Sequence, residues 1–368
     1  MKESRYMRQQ YLVQIVLFCW MMATLVAAPS GIEQKLYILN SNSNDMTVVD
    51  VSTNQVIKTI EVGELPHGIA ATKSQDLLYV STEGDRGLTV VDAVTDEVIR
   101  RYNIFGHRPN EIDCTSDGRY VYVPALGDGV YEVFDSLREK IIARIPVDGF
   151  PHNVVASPDD RYMYLSAYDR ESRPGEIVVE GGELTTLNKK IYVVDTTSHS
   201  VVATIPTKNT PRPIAISSDG NRLYVNVDYW LGFLVLDLSS QRVINQVAYD
   251  LTSEEKAVSS RSHGIGVTPD RREVWSTDVN HNLVHVFDVT NDSPQQIARL
   301  ETGNTPLWLT ITPDGKTVYV ANTIDDTISV FDVASKRERD RISLGERKSP
   351  MGKRKSPKRM LVLNVPNR

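Results

Sequence analysis

Paired aromatic and aspartate residues recur along the chain and constrain its fold more than any other feature. The stretch at residues 319–332, YVANTIDDTISVFD, reads as a strand, a polar turn and a second strand that ends in aspartate. The recurring aromatic residues are Tyr37, Tyr79, Tyr122, Tyr164, Tyr224, Trp275 and Tyr319, and the aspartates are Asp50, Asp92, Asp135, Asp195, Asp237, Asp288 and Asp332. In six of the seven pairs the separation is 13 positions, and the exception is Tyr164 with Asp195. This fixed register identifies a repeat protein.

The length of the repeat indicates four-stranded β units. Successive aromatic residues are 42, 43, 42, 60, 51 and 44 positions apart, and the segments between them alternate with the period of a strand. Such repeats are typical of β-propeller blades. The first unit, at residues 35–61, lacks an inner strand, whereas a spare inner strand lies at residues 357–363. We therefore predict an all-β, seven-bladed β-propeller whose ring is closed by a C-terminal inner strand in the first blade.

The N-terminal residues have the composition of a targeting segment. Lys2, Arg5 and Arg8 precede an apolar run at residues 11–28. This predicts a signal peptide over residues 1–28, either removed or retained as a signal anchor. Residues 29–368 would then form one propeller domain in the periplasm or outside the cell, with no membrane span if the signal is cleaved. The net charge of −6 argues against a nucleic-acid partner, and we expect a monomer.

Three extra lengths of chain fall on one face of the predicted ring. The first, at about residues 168–188, follows a second strand, and the others, at residues 249–261 and 345–356, precede inner strands. Both kinds of loop open on the same face of a blade. Because loops on a rigid scaffold often carry function, we predict that the ligand site lies on this face.

The motif Tyr319-Val320-Ala321-Asn322, with weaker copies at residues 79–82 and 122–125, resembles the YVTN-type β-propeller repeat. The resemblance extends over residues 35–365 and implies the propeller fold, with little indication of function. Proteins that share it include secreted proteins of unknown role, lactonase-like propellers and the haem domain of periplasmic nitrite reductases. The sequence contains no Cys-x-x-Cys-His motif, so we expect no covalently attached haem.

The residue that follows the leading proline or serine of each inner strand differs from blade to blade. Around the ring these residues are Lys358, His67, Asn110, His152, Arg212, His263 and Leu307. Inner strands surround the channel of a propeller, so these side chains would start at its mouth. The three histidines could bind a divalent transition metal (Zn, Cu, Fe or Ni), oriented or completed by Glu83, Asp228 and Asp278. Alternatively, histidine at this position belongs to the repeat consensus.

Cationic and aromatic side chains suggest a second kind of site on the same face. Arg212 and Lys358, with Arg108 nearby, could bind a carboxylate or a phosphate. The alternative is that they are solvated surface charges. Tyr168 and Trp230 could wall a pocket for the ligand, or they could pack between blades.

These residues favour an exported propeller that binds a small ligand, anionic in one interpretation, or a metal ion at the histidine-lined mouth of its channel. Alternatively, the same cluster serves a metal-dependent hydrolase, lyase or oxidoreductase. A second alternative is a platform for protein interactions on the inserted face. Propellers host all three classes and no motif identifies catalytic residues, so the sequence leaves the choice open.

Overall fold

The computed structural model describes residues 32–168, 179–180, 183–184, 189–207, 209–228, 230–345 and 354–366. The predicted signal peptide therefore lies outside the described residues, as do most of the predicted insertion at residues 168–188 and part of the extra length at residues 345–356. No described helix is long and apolar enough to cross a bilayer.

The described chain forms seven four-stranded antiparallel sheets, which we call blades 1 to 7. The inner strands, from blade 1 to blade 7, are β30 (Pro357–Pro366), β4 (Pro66–Ala71), β8 (Asp113–Cys114), β12 (Phe150–Ala156), β18 (Pro211–Ile216), β22 (Ser262–Val267) and β26 (Pro306–Ile311). The second strands are β1 (Ile32–Asn40), β5 (Leu77–Thr82), β9 (Tyr120–Ala125), β13 (Tyr162–Tyr168), β19 (Arg222–Val227), β23 (Glu273–Asp278) and β27 (Thr317–Asn322).

The third strands carry the repeated aspartates, and the outer strands face solvent. The third strands are β2 (Asp45–Asp50), β6 (Gly87–Asp92), β10 (Val130–Asp135), β16 (Lys190–Asp195), β20 (Gly232–Asp237), β24 (Leu283–Asp288) and β28 (Thr327–Asp332). The outer strands are β3 (Gln55–Glu61), β7 (Glu97–Tyr102), β11 (Lys140–Pro146), β17 (Ser200–Pro206), β21 (Arg242–Ala248), β25 (Gln295–Glu301) and β29 (Arg337–Ser343). A two-stranded ribbon, β14 (Val179–Glu180) with β15 (Glu183–Leu184), and one helical turn, α1 (Ser253–Lys256), stand outside the blades.

The C-terminal strand closes the ring, which confirms the prediction. β30 pairs antiparallel with β1, with Lys35 opposite Leu363 and Leu36 opposite Val362. Contacts between neighbouring inner strands run from β30 through β4, β8, β12, β18, β22 and β26 and back to β30. A closed ring leaves no inner edge on which another chain could add a strand.

Apolar side chains fill the spaces between adjacent blades. Leu39 and Val48 of blade 1 pack with Leu78 and Val80 of blade 2 in one cluster. The middle strands of each blade are buried on both faces, whereas an outer strand such as β3 is exposed except at Ile60. Stability therefore comes from face-to-face sheet contact, with neighbouring sheets about 10 Å apart.

The seven repeated aspartates are structural. Each lies at the end of its third strand and accepts a hydrogen bond from a backbone N–H two or three residues later. The donors are Ser52, Val94, Leu137, Thr197, Ser240, Thr290 and Ser335. A carboxylate that binds the turn backbone in this way fixes the reversal into the outer strand.

Candidate functional site

Local breaks in the inner strands turn one ring of side chains toward the channel. The register between inner and second strands shifts after Pro66, Pro151, Arg212, Ser262 and Pro306. Blade 3 shows the longest break, because β8 is only two residues long and Pro109 makes an isolated bridge with Ala125. Bulges of this kind release a residue from the ladder and change the direction of its side chain.

On one side of the mouth, His67 and Glu83 form a close polar contact. His67 Nδ1 lies 2.6 Å from Glu83 Oε1, and Asn110 donates a hydrogen bond of 2.7 Å to the same oxygen. Arg108 lies 3.5 Å from the second oxygen of Glu83. Burial raises the pKa of Glu83, but His67, Lys358 and Arg108 outweigh it and hold that pKa at about 2. Glu83 is therefore ionised at neutral pH.

Glu111 links three consecutive blades. Its side chain is 1% exposed, with Oε1 3.5 Å from His67 Nε2 and Oε2 3.3 Å from Arg359 Nε. Arg359 also lies over the Trp308 ring of blade 7, 4.2 Å from its centroid. Burial raises the pKa of Glu111, against the opposing effects of Arg359, His67 and Lys358. Burial lowers the pKa of Lys358, and the negative charges of Glu83 and Glu111 oppose this effect.

On the opposite side, an arginine and an aromatic ring form the wall. The Arg212 guanidinium lies 4.5 Å from the centroid of the Tyr168 ring, and its Nη1 is 3.4 Å from Asp228 Oδ1. Arg261 is an exposed rim residue at the end of the insertion at residues 249–261. Partial burial and then the Arg212 charge lower the pKa of Arg261, whereas Asp228 raises it, so these three charges lie near one another.

His152 and His263 are buried imidazoles between these two sides. Their ring centroids are 6.0 Å apart, and His263 also meets the edge of Trp308. Burial, followed by the charges of Arg212 and Arg261, holds both pKa values well below the usual histidine value. His263 Nδ1 lies 2.8 Å from Leu307 O, so this nitrogen carries the proton of a neutral ring and Nε2 has a free lone pair. His152 Nδ1 has no hydrogen-bond partner among the described residues.

His67 adds to the lowering of the pKa of both His152 and His263, so its charge lies near both rings. In the described part of the chain, no group of three or more His, Cys, Asp or Glu side chains is arranged to hold a metal ion. Both interpretations of these histidines, a metal site and a residue of the repeat consensus, therefore stay predictions.

Trp230 and Asp278, also predicted for the site, have other partners in the structure. Trp230 Nε1 donates to Val247 O at 3.1 Å, and its ring packs against the core between blades 4 and 5. Asp278 Oδ2 lies 2.7 Å from His281 Nδ1 and 3.5 Å from His285 Nε2. Trp230 therefore contributes to a blade core, and Asp278 supports the insertion at residues 249–261.

Glu111, Arg359 and Arg261 were not predicted as site residues from the sequence. Glu111 and Arg359 directly follow Asn110 and Lys358, two of the predicted ring positions. The available signal was a charged residue directly after the ring position, as in PNEIDC at residues 109–114 and PKRMLVL at residues 357–363. A bulge presents two consecutive residues on the channel side, so the residue after each ring position is also a candidate for the site.

The comparisons with known proteins agree with a seven-bladed β-propeller. The family described as "Lactonase, 7-bladed beta-propeller" matches residues 233–353, about a third of the chain. That match is to a propeller family and not to the YVTN repeat specifically, so the finer resemblance stays a prediction. None of the curated proteins matches the chain.

Solved structures of similar fold have low sequence identity to this chain. Hydrazine synthase of Kuenenia stuttgartiensis has a TM-score of 0.69 at 20% identity, over 82% of this chain and 92% of that one. The periplasmic gluconolactonase PpgL of Pseudomonas aeruginosa has a TM-score of 0.69 at 18% identity, over 91% and 99%. The dihydro-heme d1 dehydrogenase NirN, in complex with DHE, has a TM-score of 0.61 at 14% identity, over 88% and 65%. These likenesses establish the fold alone.

Proposed function

We propose that the chain binds a small anionic molecule at the mouth of its channel, in an exported compartment. One observation carries the proposal, namely the excess of cationic side chains over carboxylates in the site. Five cationic residues meet there, Arg108, Arg212, Arg261, Lys358 and Arg359, together with three carboxylates, Glu83, Glu111 and Asp228.

The surroundings of these cations favour an anion over a neutral molecule. Arg212, Lys358 and Arg359 are largely withdrawn from solvent, and a charge-assisted hydrogen bond is stronger in such surroundings than in water. Arg212 Nε is buried without a hydrogen-bond partner in the described structure. A carboxylate or phosphate would supply both the missing acceptor and the missing negative charge.

Two observations support an exported location. Residues 1–28 have the charge and apolar pattern of a signal peptide. One protein of similar fold, PpgL, is named as periplasmic. Detection of the mature N-terminus in a periplasmic or culture-medium fraction would test the location directly.

The direction of the pH dependence distinguishes an anion from a metal ion. We expect gluconate, which stays ionised well below neutral pH, to bind more tightly as the pH falls toward the lowered pKa values of His152 and His263, because each imidazole becomes an attractive charge when protonated. Phosphate and citrate take up protons themselves in this range, so their binding is compared at pH 7. Added NaCl should weaken this binding. Isothermal titration at several pH values measures both effects. Absence of heat with all three anions at low salt would contradict the proposal.

The metal hypothesis gives the opposite sign. If His67, His152 and His263 hold Zn, Cu, Fe or Ni, protons compete for the ligand nitrogens and binding weakens as the pH falls. The 6.0 Å between the His152 and His263 ring centroids permits both imidazoles to reach one ion. Titration of Zn²⁺ into the wild type and His152→Ala, in the same pH series, separates the two proposals.

A second candidate function is hydrolysis of a lactone. The match to a lactonase family and the likeness to a gluconolactonase support it. A neutral imidazole such as His152 can accept a proton from water as the oxygen attacks the lactone carbonyl. The ring C–O bond then breaks, and the departing alkoxide takes that proton back from the imidazolium to give a hydroxy acid. The acid ionises to a hydroxycarboxylate and releases a proton to the solvent. The cations of the mouth would stabilise the developing negative charge.

Catalysis is tested by the release of acid from glucono-δ-lactone. We expect the purified chain to accelerate ring opening above the rate in buffer, and we expect His152→Ala to lose most of that acceleration. His199→Ala is the matched control, because His199 contacts Tyr122 away from the mouth. If the wild type opens the lactone no faster than buffer does, the hydrolase proposal is wrong and only the proposal of anion binding stands.

A further inference from the structure

The insertion at residues 249–261 is fastened along its length to the turn that follows β23. Val279 N donates to Arg261 O at 3.0 Å, and Asn280 N donates to Ser260 Oγ at 2.9 Å. Asn280 Nδ2 also donates to Ser259 O at 2.6 Å. The last three residues before β22 are therefore held by direct bonds to one turn.

His281 makes the central link in this arrangement. Its side chain is 7% exposed, its Nδ1 lies 2.7 Å from Asp278 Oδ2, and its Nε2 lies 3.0 Å from Glu255 O at the end of α1. Both partners are acceptors, so each ring nitrogen faces an acceptor of its own. Asp278 also accepts a hydrogen bond from Ser260 Oγ, so one carboxylate joins His281 to the insertion itself.

Other contacts hold the first part of the same insertion. Tyr249 stacks on His285, with centroids 4.0 Å apart, and shares a hydrogen bond of 2.6 Å with Ser276 Oγ. Thr252 and Glu255 form a reciprocal capping box at the start of α1. Glu255 also pairs with Arg299 of β25. With both ends fixed to blade 6, the insertion has one defined position.

We propose that Asp278 and His281 are positioning residues that hold the insertion so that Arg261 stands at the rim of the channel mouth. The proposal rests on the proposed function, in which Arg261 is one of the cations that attract the ligand. Arg261 follows Ser260 directly and precedes His263 by two residues, so the links at Asp278 and His281 act within a few bonds of the site.

We call the links of Asp278 and His281 to the insertion the clamp. Its physical benefit is that the Arg261 cation is placed before the ligand arrives. An arginine on a free loop would spread its charge over many positions and would lose that freedom on binding. A rim charge acts mainly on the rate of association and on its salt dependence. We therefore expect Arg261→Ala to weaken phosphate binding about fivefold, with a smaller salt dependence than in the wild type.

Two substitutions of His281 distinguish two roles for this residue. In the first role it holds the insertion in place, and in the second it only supplies a partner for the buried Asp278 carboxylate. In His281→Gln the amide nitrogen can take the place of Nε2 and keep the bond to Glu255 O. In His281→Asn the shorter side chain can take the place of Nδ1 and keep only the bond to Asp278. If the clamp acts through the insertion, the glutamine variant should retain phosphate affinity and the asparagine variant should lose about as much as Arg261→Ala.

Hydrogen exchange provides a readout that needs no ligand. In His281→Asn, peptides that cover residues 250–262 and 278–282 should exchange faster than in the wild type, while His281→Gln should stay near the wild type. Ser260→Ala, which removes one bond to Asp278, is a milder variant should His281→Asn fail to fold. His199→Ala, remote from the clamp, should leave these peptides unchanged.

The outcomes distinguish the clamp from the function on which it rests. Faster exchange in His281→Asn, together with an Arg261→Ala effect that is absent in the His281→Asn background, supports the clamp. If instead His281→Asn retains phosphate affinity and His281→Gln loses it, His281 serves only as a partner for Asp278, and the proposed clamp is wrong. If phosphate, citrate and gluconate all fail to bind the wild type, the proposed function fails, and exchange alone decides whether the insertion is clamped.

Discussion

Deletion of residues 357–368 should abolish the folded monomer. β30 supplies the inner strand of blade 1, and its Met360, Val362, Leu363 and Val365 are buried between blades. Loss of four such side chains costs about 2 kcal/mol or more for each one. That sum reaches the ~5–15 kcal/mol by which a typical domain is stable. The exposed edge of β1 would also invite pairing with a second chain.

The measurement is a thermal melt combined with light scattering on a sizing column. We expect either no cooperative transition or a dimer in which the open rings pair. Removal of Asn367 and Arg368 alone is the control, because the strand ends at Pro366 and should be unaffected. A truncated protein that stays monomeric and melts at the wild-type temperature would show that β30 does not close the ring.

The fold could be predicted because each blade repeats the same local chemistry. The 13-residue interval from Tyr37 to Asp50 places an aromatic residue in a second strand and an aspartate at the end of a third. The same interval sets the hairpin register, which a polar turn reinforces. The missing inner strand of blade 1 and the spare strand at the C-terminus then leave one way to complete the ring.

The site could be predicted only in part, because contacts across the channel depend on side-chain reach. His67, His152 and His263 occupy one strand position in three blades, and the rings of His152 and His263 do come within 6.0 Å of each other. Glu111 was missed because its partners, His67 and Arg359, come from two other blades. Asp278 lies one repeat position before that of Glu83, opposite Ser262, and it faces His281, a residue that comes from an ordinary turn in the sequence.

Replacement of Arg212 should have the largest effect on ligand binding of any single substitution in the site. Its guanidinium lies between the Tyr168 ring and Asp228, so both its orientation and its charge are fixed before a ligand arrives. A hydrogen bond to a charged group contributes about 1.5–3 kcal/mol, and in Arg212→Ala the Asp228 carboxylate would also repel an anion. We expect phosphate, citrate or gluconate to bind roughly 10- to 100-fold more weakly.

Two variants show whether the loss is local. Arg212→Lys keeps the charge but not the planar fork, so it should recover part of the affinity. Arg222→Ala is the matched control, because Arg222 begins the next strand of the same blade and pairs with Asp237 rather than with the site. Its affinity should equal that of the wild type, while both alanine variants should keep a cooperative melt. Equal affinities for Arg212→Ala and the wild type would place the anion elsewhere on the propeller, because no ligand at this mouth could avoid the Arg212 charge.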